Sequence, residues 1–386
     1  MGISRRNFLR QVTAGAAVSA TNWRLDELSQ AASHGRSSSR RPEEPIRLDM
    51  NINPYGPSPK VVGVIRANLD LVNRYPDSDY RLLVERIADL HRVKSNEVTL
   101  GSGSREVLRM AVASFLTRGR TLVLASPTFE PMANLARQVG AEVIAVPINR
   151  RYAHDLEAML HRTSASTGLV YICNPNNPTG SLTPRKDLEA FLEKLPPKVA
   201  VVIDEAYHEY VGPTSDYASF IDHPVDDKRM IVVRTFSKIY GLAGLRLGYA
   251  VSSKEISLKL LSMQLQRGVN IIAARAAVAA LDDSDYIRLG SRRNADQRQE
   301  FYNQTNARML RQIDSLTNFV FTKSGISSSQ VIEHFEQNSI TLGPAVPQMD
   351  RYVRVAISTE ENMKEFWRVW DLLPSMPHKM ASNRIE

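Results

Sequence analysis

The sequence is poor in the residues that build disulfide, thiolate-metal and membrane-spanning proteins. Cys173 is its single cysteine, so no intrachain disulfide can form and a C-x-x-C metal site is excluded. Because Cys173 ends the apolar run Leu169–Cys173, we expect a small buried side chain there rather than a nucleophile. No run approaches the ~20 apolar residues that cross a bilayer as a helix. We therefore predict neither a metal site nor a membrane-spanning helix.

The chain also lacks the basic stripe that is typical of nucleic-acid-binding proteins. The 386 residues carry a net charge of +8, but residues 1–41 hold seven arginines against Asp26 and Glu27, a net charge of +5. The rest of the chain is only weakly basic, which argues against a nucleic-acid partner. Hydrophobic residues make up 43% and charged residues 23%, which are ordinary values for a globular protein. The length suits one large or two medium domains.

The first 41 residues have the parts of an export signal. Arg5 and Arg6 precede a Phe-Leu pair, and a mildly apolar segment follows at Val12–Ala20. A charged start followed by a short apolar middle is typical of secretory signals, and the paired arginines resemble a twin-arginine signal. We predict a signal and linker at residues 1–41 and a periplasmic or otherwise exported protein. The alternative is a disordered basic tail on a cytoplasmic protein.

Strand-like and helix-like segments alternate beyond residue 95. Apolar, β-branched runs lie at Val98–Leu100, Thr121–Ala125, Ala141–Val146, Leu169–Ile172, Val199–Ile203 and Met230–Val233. Helical patterns separate most of them, as at Arg105–Phe115 and Pro184–Leu195. This alternation predicts an α/β fold with a mostly parallel central sheet. We place an N-terminal segment at 42–72, which packs with a small domain, a large domain at 73–270 and the smaller α+β domain at 271–386.

An acidic residue ends one of the predicted buried strands. The run Val201–Asp204 closes with Asp204, and Tyr207 comes three residues later. Open α/β sheets bind ligands at the carboxyl ends of their strands, and a buried carboxylate needs a partner such as a protonated pyridine nitrogen. Asp204 and Tyr207 are therefore candidates for contacts to a cofactor ring. The alternative is an acid that caps the next helix beside a core tyrosine.

A lysine follows the next predicted strand. Lys238 is preceded by hydroxyls at Thr235 and Ser237, and Arg246 comes eight residues later. A lysine whose amine stays neutral can form a Schiff base, whereas most lysines are solvated surface charges. The donor fork of arginine suits a phosphate. This run predicts a covalent attachment point beside an anion site.

Two further loops follow strands. Gly101–Ser104 reads Gly-Ser-Gly-Ser before a helical pattern, where backbone N–H groups and a helix start favour an anion. The rigid run Asn174–Gly180 contains Asn177, whose amide can donate to a cofactor ring. Either loop alone could be an ordinary turn without a ligand, so the prediction depends on the combination of both loops with Asp204 and Lys238.

In this order the motifs resemble the class I and II aminotransferases of pyridoxal 5'-phosphate (PLP) fold type I. The matching stretches read GSGS, NPNNPTG, DEAY and TFSKIYGLAGLR. Over about residues 45–373 the chain most resembles the histidinol-phosphate aminotransferase group. The resemblance implies PLP as cofactor and ping-pong transamination through a Schiff base on Lys238. The partners it implies are an amino acid or histidinol-phosphate-like amine, a 2-oxo acid acceptor, and a second copy of the chain in a homodimer.

The resemblance also implies roles for the matching residues. Lys238 is the proton-shuttling base, Asp204 pairs with the ring nitrogen, and Tyr207 completes the catalytic set. Arg354 binds the substrate α-carboxylate, a task that suits the arginine fork. The other cofactor-binding residues are Gly103, Ser104, Arg105, Phe129, Asn177, Thr235, Ser237, Arg246 and, from the second subunit, Tyr75. The other substrate-binding residues are Asn53 and Tyr55.

Three positions depart from the family's usual pattern. Arg105 stands where an aspartate is usual and Ile52 where a glutamate is usual. Gly343 stands where relatives that act on histidinol phosphate usually carry an arginine that helps bind the substrate's phosphate. The last departure argues against histidinol phosphate as the substrate.

Two alternatives remain open on the residues alone. Another PLP reaction on the same scaffold, such as threonine-phosphate decarboxylation or β-elimination, needs the same cofactor contacts. Product analysis with and without an oxo-acid acceptor separates these reactions from transamination. A cofactor-free, exported binding protein is the non-enzyme alternative, and an absorbance spectrum distinguishes it from a PLP protein.

Overall fold

The computed structural model describes residues 45–373. The predicted signal and linker at residues 1–41 lie outside the described residues, and their assignment stays a prediction. Within residues 45–373, no helix combines the length and the apolar character needed to cross a membrane.

The strands of the described region form one large and two small sheets. They are β1 (Ile46–Leu48), β2 (Val98–Gly101), β3 (Thr121–Ser126), β4 (Glu142–Pro147), β5 (Thr167–Cys173), β6 (Ala200–Asp204), β7 (Met230–Thr235), β8 (Gly248–Ser252), β9 (Gln312–Ile313), β10 (Phe319–Lys323), β11 (Ile340–Leu342) and β12 (Tyr352–Ala356). The main sheet has the order β2-β8-β7-β6-β5-β3-β4. Strands β3 to β7 run parallel, and β8 runs antiparallel to β2 and β7. The predicted α/β fold with a mostly parallel central sheet is confirmed.

Helices connect and cover these strands. They are α1 (Pro59–Ala67), α2 (Asp77–His91), α3 (Ser104–Phe115), α4 (Pro131–Gln138), α5 (Leu156–His161), α6 (Arg185–Lys194), α7 (Lys254–Ser262), α8 (Ile271–Leu281), α9 (Ser284–Ala307), α10 (Ser328–Gln337) and α11 (Glu360–Trp370). Several begin at side-chain caps: Ser58, Ser253 and Asn270 each accept a hydrogen bond from the backbone N–H three residues on. Such caps satisfy N–H groups that the first helical turn leaves free.

Apolar side chains bury both faces of the main sheet. One cluster packs α1, α2, α6 and α8 on one face, and another packs α3, α4 and α7 on the opposite face. This two-sided burial explains why the central strands read as continuous apolar runs instead of alternating patterns. A ligand can therefore approach these strands only at their ends.

A third apolar cluster belongs to the smaller sheets. It contains Phe335, Phe366 and Trp367 and includes Leu48 of β1, which pairs in parallel with β11. Strands β12, β10 and β9 form an antiparallel sheet beside it. The buried alanines of α8 lie in the cluster of the main sheet instead. The predicted domain limits stay predictions.

Strand β8 was not included in the sequence prediction. A Cβ at Gly248 would lie 2.9 Å from the carbonyl oxygen of Arg234 and would overlap the backbone nitrogen of Ser104. Glycine lowers the strand propensity of this segment, but here it lets β8 pack directly on β7 and on the first turn of α3.

Candidate active site

The carboxyl ends of three adjacent parallel strands bring the main predicted residues together. Strand β5 leads into the loop with Asn177, β6 ends at Asp204, and β7 leads to Lys238. This edge of an open α/β sheet is where ligands bind. The clustering follows from the pairing of β6 with both β5 and β7.

Asp204 is a buried carboxylate, 3% exposed. The hydroxyl of Tyr171 donates to Oδ2 at 2.8 Å, and the backbone N–H of Ala206 donates to Oδ1 at 3.1 Å. Burial raises the pKa of Asp204 to about 6, although both hydrogen bonds oppose the shift. At neutral pH the site thus holds a carboxylate that gains from a cationic partner.

Tyr207 lies near Asp204, and its hydroxyl oxygen accepts hydrogen bonds from two side-chain amides. Nδ2 of Asn177 lies 3.2 Å from the tyrosine hydroxyl oxygen, and Nδ2 of Asn51 lies 3.1 Å from it. The ring packs edge-on against Phe319, with centroids 5.2 Å apart. Burial raises the pKa of the Tyr207 hydroxyl, so this group remains a neutral donor at physiological pH.

Lys238 extends into the same cleft. Its Nζ donates to the carbonyl oxygens of Met50 at 3.0 Å and Asn51 at 3.1 Å. Burial, followed by the charges of Arg354 and Arg246, lowers the pKa of Lys238 to about 7. A substantial fraction of the amine is therefore neutral near pH 7, as a nucleophile or base requires.

An anion cradle lies at the start of α3. Gly103 precedes the helix with φ of 78°, and a Cβ there would overlap the guanidinium of Arg246. Nη1 of Arg246 donates to Ser237 Oγ at 3.3 Å, and the Ser237 N–H donates to Thr235 Oγ1 at 3.1 Å. Ser104 provides the first residue of the helix. A helix N-terminus, hydroxyls and an arginine fork together suit a phosphate group.

Arg354 approaches from β12. Its Nη1 donates to Asn177 Oδ1 and its Nη2 to the carbonyl oxygen of Asp49, both at 2.6 Å. Its buried Nε has no hydrogen-bond partner among the described residues. A Cβ at Gly343 would lie 2.8 Å from Nε, so the glycine makes room for the guanidinium. Burial lowers the pKa of Arg354, but the group remains a cation that faces the cleft.

Two predicted substrate-binding residues contact the protein itself. Asn53 Nδ2 donates to the carbonyl oxygen of Ile239 at 2.8 Å, next to Lys238 in the chain. Tyr55 lies under Arg293, whose guanidinium carbon is 4.9 Å from the ring centroid. Asn53 thus lies beside the Lys238 segment, and the contact of either residue with a substrate stays a prediction.

The remaining predicted residues differ in position. Phe129 is half-buried against the cluster that contains α3, at the carboxyl end of β3. Arg105 is exposed on the first turn of α3. Tyr75 is 74% exposed and lies under Arg267, 4.7 Å from its guanidinium carbon to the ring centroid. Tyr75 is therefore not part of the cleft that contains Lys238 and Asp204.

Sequence reasoning missed two residues that contact the predicted ones. Tyr171 hydrogen-bonds to Asp204, and Asn51 hydrogen-bonds to Tyr207 across 156 positions of the chain. Tyr171 lies in a predicted strand, and the sequence shows that it shares a face with Cys173, two residues later. Its contact with Asp204 depends on the register of β5 on β6, which the sequence does not show. Asn51 lies outside the four matching motifs, and no local pattern connects it with Tyr207.

A buried ion pair lies directly behind the site. Arg234, 3% exposed, donates from Nε to Glu205 Oε2 at 2.8 Å and from Nη2 to Ser219 Oγ at 2.8 Å. Glu205, 1% exposed, also accepts from Ser219 Oγ and from the Phe220 N–H. Glu205 follows Asp204 and Arg234 precedes Thr235, so the pair joins the ends of β6 and β7. Buried charges of this kind need such complete partners.

The chain matches a known protein family over most of its length. The family model for aminotransferase class I and II matches residues 43–369. The histidinol-phosphate aminotransferase of Geobacillus thermodenitrificans is 37% identical over 321 residues, 82% of this chain and 87% of the relative. That of Moorella thermoacetica is 35% identical over 324 residues, 84% of each chain.

A solved structure resembles the fold over a similar length. The histidinol-phosphate aminotransferase from Sinorhizobium meliloti, in complex with pyridoxal-5'-phosphate, superposes with a TM-score of 0.79 and 27% identity. The match covers 85% of this chain and 92% of that protein.

Proposed function

The chain belongs to the family of class I and II aminotransferases, and we propose on that premise that its amino donor is an α-amino acid whose carboxylate binds Arg354. It is a PLP-dependent aminotransferase, which transfers an amino group to a 2-oxo acid. The observation that carries the proposed donor class is the position of Arg354, which is hydrogen-bonded to Asn177 deep in the cleft.

The residues present fit the cofactor. The lysine amine has a lowered pKa, the buried Asp204 lacks a cationic hydrogen-bond partner among the described residues, and Arg246 lies at a helix start. Lys238 would hold the cofactor's carbonyl carbon, Asp204 its ring nitrogen, and Asn177 with Tyr207 its ring oxygen. Residues of the anion cradle would hold its phosphate. When bound, PLP supplies an electron sink for the electrons left at the substrate Cα.

The chain's own groups perform the proton transfers. Lys238 Nζ would take the proton from the substrate Cα and later return it to the product, because its lowered pKa leaves the amine partly neutral. Asp204 would stay ionised to hold the ring nitrogen, and Tyr207 keeps its proton as a hydrogen-bond donor. Arg354 orients the donor so that its Cα–H bond lies within reach of Nζ.

The position of Arg354 favours a carboxylate over a distant phosphate. Asn177 connects Arg354 to Tyr207 through two hydrogen bonds, of 2.6 and 3.2 Å. Lys238 Nζ lies 5.7 Å from the Tyr207 ring centroid, so the lysine and the Arg354–Asn177 pair lie near the same tyrosine. A carboxylate carbon is bonded to the amine-bearing carbon, whereas the phosphorus of histidinol phosphate is three bonds away. Gly343 lies beside Arg354 and provides no second positive charge that could bind a phosphate.

A donor panel tests this proposal. With 2-oxoglutarate as acceptor, we expect at least one α-amino acid to give a higher kcat/KM than histidinol phosphate. Arg354→Lys should lower kcat/KM for that amino acid roughly 100-fold, because it loses a charge-assisted bidentate contact. The exposed Arg351, three residues earlier, provides the control variant Arg351→Lys, which should behave as wild type. Preference of the wild-type enzyme for histidinol phosphate over every amino acid would contradict the proposed donor class.

We also propose that the enzyme is a homodimer in which Tyr75 reaches the second subunit's anion cradle. Exposed apolar side chains lie on two segments: Leu69, Val72 and Tyr75, and Leu258, Leu261, Met263 and Leu265. Arg267 connects the segments, since it contacts the Tyr75 ring and lies 3.3 Å from Asp77. Glu106 accepts from the N–H groups of Leu265 and Ser102, which places this surface beside the cradle.

Light scattering checks the homodimer. The wild-type enzyme should have twice the chain mass, and the double variant Val72→Glu/Leu265→Glu should be monomeric and bind PLP more weakly. Buried glutamates at an apolar interface are costly unless paired. Met309→Glu, at an exposed apolar residue of another surface, is the matched control. A wild-type monomer with full activity would refute the proposal.

For residues 1–41 we propose export of the folded, PLP-bound enzyme by the twin-arginine route. A PLP made in the cytoplasm would be lost from a chain threaded unfolded, and a fold with a single cysteine needs no disulfide outside the cytoplasm. Changing Arg5 and Arg6 together to lysine should leave a longer, active enzyme in the cytoplasm, whereas Arg24→Lys should not. Fractionation of the double variant like the wild type would show that the N-terminus is only a basic tail.

A further inference from the structure

Tyr171 contacts the predicted partner of the cofactor ring, although no motif includes it. It lies on β5, fully buried, and pairs with Val202 of β6. Side chains two residues apart on a strand share a face, so Tyr171 and Asp204 project from the same side of the sheet. The tyrosine hydroxyl reaches Asp204 Oδ2 at 2.8 Å.

The direction of this hydrogen bond follows from the protonation states. Burial, followed by the charge of Asp204, raises the pKa of Tyr171 well above its ordinary value, so the hydroxyl keeps its proton. A neutral phenol can donate to an ionised carboxylate, which can only accept. The Ala206 N–H occupies the other carboxylate oxygen. Two donors, one from β5 and one from the turn after β6, thus fix the plane of the carboxylate and leave lone pairs for a further partner.

We propose that Tyr171 is a positioning residue that keeps Asp204 ionised and oriented toward the ring nitrogen of PLP. The inference rests on the assignment of Asp204 to that nitrogen. A carboxylate buried among apolar side chains takes up a proton unless donors stabilise its charge. A protonated Asp204 would no longer attract a cationic ring nitrogen, and PLP would bind less tightly.

The surroundings of Asp204 predict the direction of the pH effect. Burial raises its pKa, whereas Tyr171, the Ala206 N–H and the charge of Lys238 lower it. Loss of the Tyr171 hydroxyl therefore raises the pKa further, and the carboxylate becomes protonated at higher pH. The titratable groups that face Asp204 are Tyr171 and Cys173 of β5, Glu205, Tyr207 and Lys238.

Tyr171→Phe removes one oxygen atom and keeps the ring that packs in the core. We expect the dissociation constant of PLP from the apoenzyme at pH 7 to rise about tenfold, as for loss of a hydrogen bond to a charged group. The pH below which PLP affinity falls should move upward. Tyr302→Phe is the matched control, because the Tyr302 hydroxyl hydrogen-bonds to the backbone of Ser315. That variant should keep the wild-type dissociation constant and pH profile.

Asp204→Asn separates this inference from the assignment on which it rests. If Asp204→Asn weakens PLP binding and abolishes the pH dependence, but Tyr171→Phe behaves as wild type, the role of Tyr171 is refuted. If Asp204→Asn leaves PLP binding unchanged, Asp204 does not hold the ring nitrogen. The inference about Tyr171 then fails together with that assignment. A Tyr171→Phe enzyme that loses thermal stability without a shift of the pH profile would show a merely structural role.

Discussion

Lys238→Ala is expected to reduce transamination by about 10⁴-fold or more, because one substitution removes both the proposed covalent attachment point and the proposed base. The amine is placed for both tasks by the carbonyl oxygens of Met50 and Asn51. Single-turnover kinetics with the best amino donor measures the loss. Borohydride reduction of the wild-type enzyme should attach PLP to Lys238 and to no other lysine. The control is Lys254→Ala, at an exposed lysine of α7, which should keep full activity.

The same variant has an expected effect on the stability of the apoenzyme. The pKa of Lys238 is about 7 in the folded protein against an ordinary value of 10.5. Between these values the unfolded chain binds more protons, so the contribution of Lys238 makes stability rise with pH in that window. The free energy of unfolding of wild type relative to Lys238→Ala should thus increase from pH 7 to pH 10. A constant difference would show that the amine is not desolvated.

Arg234→Met is expected to destabilise the apoenzyme by about 3–5 kcal/mol, because it leaves a buried carboxylate without its cation. Arg234 lies 2.8 Å from Glu205 Oε2 and 3.5 Å from Glu209 Oε1; Glu205 is buried, and the Glu209 side chain is 10% exposed. Chemical denaturation measures the loss. PLP affinity should fall as well, since the ends of β6 and β7 carry Asp204 and Lys238.

Two further variants show whether the buried charge is the cause. The double variant Arg234→Met/Glu205→Gln should recover part of the lost stability, because the uncompensated charge is gone. Arg288→Met breaks an exposed pair with Asp285 and should change the free energy of unfolding by less than ~1 kcal/mol. A double variant less stable than Arg234→Met would mean that packing, and not charge, dominates at this position.

Local patterns in the sequence predicted the fold class, and they singled out most of the residues that the structure brings together at the strand ends. The central strands are buried on both faces, so each appears as an uninterrupted apolar run with a polar residue at its end. Asp204, Asn177 and Lys238 follow three such runs, and the convergence of parallel strand ends brings them into one cleft. Strand β8 was not predicted because Gly248 has a low strand propensity. The glycine is needed there for the close approach of the backbone to Ser104 and Arg234.

The sequence by itself determined the strand alternation and, through motifs of a few residues each, the cofactor class, and it predicted Lys238 as the attachment point. Only the tertiary structure decided which groups support them. Tyr171 contacts Asp204 through the register of β5 on β6, and Asn51 contacts Tyr207 across 156 positions. The cause is physical: periodicity along one strand shows which face a side chain occupies, but its neighbour on that face depends on how distant segments pair and pack.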